Sequence, residues 1–361
     1  MPYFQTLILC LATLCSSLAA AQSLSPQGGH EPIVSLHVNS GFAFLSSSGE
    51  IELGPSLGNV RQAIAYDPTS EVLFVLAQPL FQPTYLYSFD IHTHEQTFIG
   101  STGLSGGGVG SMACHPVTGD LYYAALNTGH LYKINRQTGV ATLGFLNPTP
   151  QGTAGLAFHP HTHELYVAEN RATVGSNVHL MKIDFLTGAH IFVTTPDRQL
   201  NGISFNSYGT LFCVDTQSVS GGPSDLFTLD LITGTSSPVA NYSQSVSLQG
   251  LDFIRIENLR LSLETATPVG GQPFQIAVTA SKAEASTWLA WSLAGPGSTL
   301  VPELGVTLGL ASPVQAGPPG ISRIDGRLSH TVTLPTLPGV QVWVQAAQLS
   351  QASNVATFTI Q

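Results

Sequence analysis

Apolar residues recur along most of this chain in short runs, and turn-forming clusters separate the runs. The stretch from Gly155 to Gly188 shows the unit. One run ends at Phe158, a second covers Glu164 to Ala168, and a third covers His179 to Asp184 and closes at Thr187-Gly188. Runs of this length, rich in Leu, Tyr, Val and Ile and punctuated by Gly, Pro and Thr, are strands separated by turns. The same phrase returns on the anchors Tyr66, Cys114, Phe158, Phe205 and Phe253, spaced 48, 44, 47 and 48 residues apart. That period is the length of one four-stranded propeller blade.

After each anchor a second strand is expected, at Glu71–Leu76, Asp120–Ala125, Glu164–Ala168 and Thr210–Val214. Third strands are expected at Tyr85–Asp90, His130–Asn135, His179–Asp184 and Asp225–Asp230. Each ends in an Asp or Asn just before a turn, where a short carboxylate or amide can accept backbone amides two residues on. Residues Ile33 to Leu53 hold three runs with no anchor before them, and the last anchor, in Gly250–Ile256, has no later partner runs. Joining these two ends in one sheet closes a ring and removes its free edges. The pattern thus predicts an all-β chain, with a five-bladed β-propeller over residues 31–257. Beyond it the runs alternate with period two, as at Leu259–Leu263, Phe274–Thr279 and Leu328–Leu334, which predicts an Ig-like β-sandwich over 258–361. The stretch Ala316–Ser322, with two prolines and two glycines, is expected to be a loop. Trp288, Trp291 and Trp343 lie on predicted sandwich strands, where stacking from an exposed face would grip a sugar but core packing is the default.

The first residues depart from the pattern. Leu7 to Leu14 form a short apolar run, and small residues up to Ala21 supply a cleavage site, so residues 1–21 are expected to be a signal peptide. Residues 22–30 are then a flexible N-terminus, and the protein is expected to be secreted, periplasmic or extracellular. No later apolar stretch has the roughly 20 residues a membrane helix needs. Charged residues make up only 9% of the chain and the formal net charge is -10. Nucleic-acid binding requires basic surface, so this balance argues against it. Cys114 and Cys213 are the cysteines beyond the leader, too few for a disulfide framework, and are expected as buried thiols.

The phrase Gly155-Leu-Ala-Phe-His-Pro160, with Glu164-Leu-Tyr-Val-Ala-Glu-Asn170 and Ile183-Asp-Phe-Leu-Thr-Gly188, resembles the repeat of secreted bacterial propellers of the NHL/YVTN type. The C-terminal part resembles a β-sandwich module of large-genome bacterial secreted proteins. Both resemblances imply a fold and no chemistry. A further segment, Leu200-Asn201-Gly202 through Val214-Asp215-Thr216, is similar to the calcium-ligand segment of propeller lactonases. That likeness implies Asn201 and Asp215 as metal ligands, and Glu169 and Asn170, at the repeat position equivalent to Asp215 and Thr216, would supply further oxygens. No cofactor is expected for the protein, and calcium belongs to this alternative alone. Calcium takes six to eight oxygens.

Other constellations are weaker. His159, His161 and His163 fall in a turn that the repeat places in every blade, although alternate histidines can ligate a transition metal. His92 and His94 form a similar pair. Gly106-Gly-Gly108 lies between strands rather than before a helix, so it is a connection and not a phosphate cradle. Arg171, Asp197 and Arg198 stand out in loops of a charge-poor chain. The expected function is non-catalytic binding of a protein or glycan on the loop face, through Glu169, Asn170, Arg171, Asp197, Arg198, Asn201 and Asp215. The alternative is a calcium-dependent hydrolase or lactonase on the same face.

Overall fold

The computed structural model describes residues 31–361 apart from 38–40, 47, 55–60, 79–82, 92, 94, 106–109, 126–127, 146–152, 170–177, 186, 217–223, 243–247, 256–258, 264–267, 280–281 and 334–335. The proposed leader, the His92/His94 pair and the Gly106–Gly108 connection therefore lie outside the described residues. The chain divides into two compact units, one spanning Glu31–Ile256 and the other containing Glu257–Gln361. No helix occurs among the described residues.

The first unit opens with β1 (Ile33–His37), β2 (Gly41–Leu45) and β3 (Ile51–Leu53). A meander follows, formed by β4 (Arg61–Asp67), β5 (Val72–Ala77), β6 (Pro83–Asp90) and β7 (Gln96–Ser105). The second meander is β8 (Ser111–Cys114), β9 (Leu121–Ala124), β10 (Leu131–Ile134) and β11 (Ala141–Phe145). The third is β12 (Thr153–Phe158), β13 (Leu165–Glu169), β14 (Leu180–Ile183) and β15 (His190–Thr194). The fourth is β16 (Gly202–Phe205), β17 (Leu211–Thr216), β18 (Ser224–Leu229) and β19 (Ser236–Tyr242), and β20 (Leu248–Phe253) ends the unit.

Each meander is one four-stranded antiparallel sheet, and β20 pairs with β1 to complete a fifth, ordered β20-β1-β2-β3. The joint copies a local bond. In three meanders the residue after the first strand donates its amide across the turn, His115 to Asp120, His159 to Glu164 and Asn206 to Thr210. Across the joint Ile254 donates its amide to Pro32 in the same way, at 2.9 Å. The first strands then touch in a cycle: β4 meets β8, β8 meets β12, β12 meets β16, β16 meets β20, and β20 meets β4.

Apolar residues on both faces of each sheet explain why the sheets stack. One core joins the third and fourth sheets through Tyr166, Leu180, Ile203 and Phe227, and another joins the fourth and fifth through Val214, Leu226, Leu45 and Leu251. Phe42 of the fifth sheet meets Phe89 of the first edge-on, with ring centroids 4.7 Å apart. Outer turns lock the stack. Gly139, at a φ of +79°, abuts the backbone of Gly100 in the preceding sheet, and a Cβ there would come within 2.8 Å of it. Asp90, Asn135, Asp184 and Asp230 accept the turn amides at 2.8 to 3.2 Å, as their position before each turn predicts. Cys114 and Cys213 are buried free thiols.

The second unit contains β21 (Arg260–Leu263), β22 (Pro273–Thr279), β23 (Ser286–Ser292), β24 (Pro296–Val301), β25 (Val306–Leu310) and β26 (Val314–Gln315). It continues with β27 (Gly320–Ile321), β28 (Arg327–Thr333), β29 (Gln341–Gln348), β30 (Gln351–Ala352) and β31 (Ala356–Thr359). Strands β21-β22-β28 make one sheet, and a larger one is built on β23 and β29. They share a core of Leu261, Phe274, Ile276 and Val278 with Leu289, Val342, Val344 and Phe358. The β24–β25 hairpin has its own core with Leu304 and Ala347, against which Trp288 and Trp343 pack. Alternation did not reveal this hairpin, because Pro296, Pro302 and several glycines interrupt its apolar pattern. The stretch Ala316–Ser322 is not all loop: Gly320 and Ile321 pair with Thr287 and Ser286.

Candidate functional site

Antiparallel register decides which of the expected residues share an end of the ring. Asn201 immediately precedes β16, and its amide donates to Val214 O at 2.8 Å, so Asn201 and Asp215 lie at the same end of the fourth sheet. Gly250 N donates to Asn201 O at 3.2 Å, which ties that end of β16 to β20. In the next strand pair Asp215 stands directly opposite Asp225. Two opposed carboxylates repel. Arg198, on the connection from the third sheet, resolves the conflict. Its Nη2 donates to Asp225 and lies 3.9 Å from Asp215 Oδ2, while the guanidinium sits 4.7 Å from the ring centre of Phe227. Asn241 donates its side-chain amide to the other Asp225 oxygen.

The cluster is only partly exposed, at 26% for Arg198, 13% for Asp215 and 16% for Asp225. Burial raises the Asp215 carboxyl above the ordinary carboxylate value, Arg198 opposes the rise and Asp225 adds to it. Arg198 and Asp215 thus come together, and Asp225 and Asn241 complete a group that the loop-by-loop reading missed. Register holds the missed signal: pairing β17 with β18 puts a second carboxylate opposite the first.

The other expected residues have different surroundings. Glu169 ends β13 and is buried, with Oε2 3.9 Å from Nδ1 of His179. Asp197 accepts the Ser236 amide at 3.1 and 3.2 Å and donates its own amide to Gly234 O, so it braces an outer turn. Asn170 and Arg171 lie outside the described residues. Among the described residues, no group of three or more His, Cys, Asp or Glu side chains is arranged to hold a metal ion. Between Asp215 and Asp225 the positive charge comes from Arg198.

The turn histidines do different work. His159 Nδ1 accepts the amides of His161 and Thr162, at 3.2 and 3.1 Å. His115 Nδ1 does the same for Val117 and Thr118, both at 3.2 Å. Asp67 and Asn206 occupy the equivalent positions and accept the equivalent amides with side-chain oxygens. Burial lowers both imidazoles below the ordinary histidine value, and a neighbouring histidine lowers each further.

Where the first strands converge, one position in each is small: Ala65, Ala113, Ala157 and Ser204, and then Asp252. Asp252 accepts the Tyr66 amide at 2.7 Å, the Ser204 hydroxyl at 2.9 Å and the Phe253 amide at 2.8 Å. It therefore bonds to the first and fourth sheets from the closing strand between them. Burial raises its carboxyl above the usual range, against the pull of these donors and of Arg255. Arg255 repeats the bridge, donating to Phe205 O while its own carbonyl accepts the Tyr66 hydroxyl at 2.9 Å. A cavity of about 20 Å³ beside them is lined from all five first strands, and that is room for about one water. A column of four small residues and one carboxylate is visible in the repeat alignment, and it points to Asp252.

No family model matches the sequence, and no curated protein is detectably similar to it. Among solved structures, a chain of a nidogen/laminin complex is similar over 61% of this chain and 97% of its own, at 12% identity and a TM-score of 0.45. TolB from Acinetobacter baumannii is similar over 62% of this chain and 57% of its own, at 14% identity and a TM-score of 0.42. Kuenenia stuttgartiensis hydrazine synthase is similar over 57% of this chain and 64% of its own, at 13% identity and a TM-score of 0.35.

Proposed function

We propose that the first unit is a five-bladed β-propeller of an exported protein, and that it acts as a binding module for a protein or glycan rather than as an enzyme. The closed cycle of first strands supports the ring reading, and the apolar leader of residues 1–21 supports export. One observation carries the binding reading. In a chain with only 9% charged residues, Arg198, Asp215 and Asp225 gather at the end of the ring where β17 hands over to β18. The cavity at the convergence of the strands is water-sized, so a ligand of any size has to meet the rim. Rigid strands carrying variable connections are a common way to display a binding surface.

The test is a glycan and peptide array probed with labelled full-length protein and with Arg198→Glu, which reverses the charge between the two carboxylates. Binding that the variant loses supports the reading. Silence of the wild type across the array, or binding that the variant retains, overturns it. A calcium-dependent hydrolase on the same rim is the competing proposal, favoured by the opposed carboxylates of Asp215 and Asp225. Calorimetric titration with calcium separates the two, since the hydrolase reading requires saturable binding that Asp215→Ala abolishes.

A further inference from the structure

We propose that the second unit carries its own ligand site, a pocket for one uncharged sugar ring between Trp291 and His330. A cavity of about 240 Å³ opens there, lined also by Gln315, Pro318, Thr331 and Thr333. Its origin lies in the sheet edges. Strand β28 is the outermost member of its sheet, and β26 is a two-residue strand beside β23. Alternate residues of β28 turn toward the core, and Leu328 and Val332 pack against it. His330 between them faces Ala316 O at 3.3 Å. Gly317, at a φ of +85°, and Pro318 follow directly, so no large side chain fills the gap between the two edges.

The lining selects the ligand class. No Lys, Arg, Asp or Glu lines the cavity, so an ionic ligand would lose hydration with no opposite charge to replace it. Trp291 packs partly buried against the core of the unit and presents the rest of its indole beside the cavity, an apolar surface with a polar edge. Beside it stand the Gln315 amide and the His330 imidazole, while Thr331 and Thr333 fall on the alternate face of β28, where the Thr331 hydroxyl accepts the Gln275 amide at 2.8 Å. The Gln315 amide donates to Gly317 O at 2.7 Å, an arrangement that fixes the side chain and leaves Oε1 as an acceptor. A ring with one apolar face and a rim of hydroxyls matches this set: C–H groups against the indole, hydroxyls to Gln315 and His330. The cavity is smaller than the roughly 300–1,000 Å³ clefts that take drug-sized molecules. It suits a single pyranose, at the end of a chain or alone.

Titration of the full-length protein with glucose, galactose, mannose and N-acetylglucosamine, followed by tryptophan fluorescence and by calorimetry, tests the assignment. We expect saturable binding of at least one sugar, weakened at least tenfold in Gln315→Leu and lost in Trp291→Ala. Trp288→Phe, which changes a tryptophan packed on the hairpin core, should bind as the wild type does. Gln315→Leu alters a partly exposed side chain and keeps the test decisive if Trp291→Ala fails to fold. Absence of saturable binding to all four sugars overturns the proposal. So does sugar binding that both lining variants retain, or binding of proline-rich peptides in place of sugars.

Discussion

At the scale of single residues, the same turn is capped by three different acceptors. Asp67 and Asn206 use oxygen, whereas His115 and His159 use Nδ1. An imidazole can accept at Nδ1 only while that nitrogen carries no proton, so these two turns require neutral histidine. Burial and an adjacent histidine lower both groups in the folded state. Asp120 pulls His115 the other way, and Glu164 does so for His159, while Arg255 and His163 add to the lowering at His159. With the folded value below the unfolded one, their stabilisation is complete above about pH 6.5 and is lost as pH falls through the lowered folded value. Urea denaturation should therefore show His159→Asn losing less stability than the wild type between pH 7 and pH 5, and His115→Asn/His159→Asn less again. Identical pH slopes for all three proteins would refute this account of the turns.

At the scale of elements, two contacts carry more than their sequence suggests. The turn at Gly139 fits only because two glycines meet there. Gly139→Ala places a Cβ 2.8 Å from Gly100 and requires an unfavourable positive φ, so it should cost about 2 kcal/mol in chemical denaturation. The other contact is Asp252, the carboxylate among alanines. Asp252→Ala leaves the Tyr66 and Phe253 amides and the Ser204 hydroxyl without their acceptor, and should cost about 3 kcal/mol. A loss under about 1 kcal/mol would mean that water replaces the carboxylate at the joint.

At the scale of the whole molecule, closure makes the first unit one object. Its fifth sheet is built from both ends of the unit, and Asp252 and Arg255 fasten that sheet to both neighbours. Cys114 belongs to the second sheet and Cys213 to the fourth, and burial pushes both thiols well above their ordinary value. Neither should react with a disulfide reagent in the native protein, and both should become reactive together as denaturant rises. Reaction of one while the other stays silent would show sheets opening independently. Deleting residues 1–40 removes β1 and leaves the edges of β2 and β20 unpaired. Size-exclusion chromatography should then show association or aggregation in place of a single species.

Sequence by itself determined the strands of the first unit and their grouping. Short apolar runs and a repeat of 44 to 48 residues are local signals, and burying both faces of each sheet leaves few ways to stack them. It also anticipated the joint between the chain's early and late strands and the Asx turns after the third strands, because both follow from completing a repeated unit. It did not reveal the β24–β25 hairpin, where prolines and glycines break the alternation. Nor did it reveal which polar residues meet. Asp215 and Asp225 are ten positions apart along the chain, and only register sets them face to face. Arg198 joins them from another sheet's connection, and Asp252 reaches Tyr66 across 186 residues. Such meetings depend on how twisted sheets pack in three dimensions, and no local pattern encodes that.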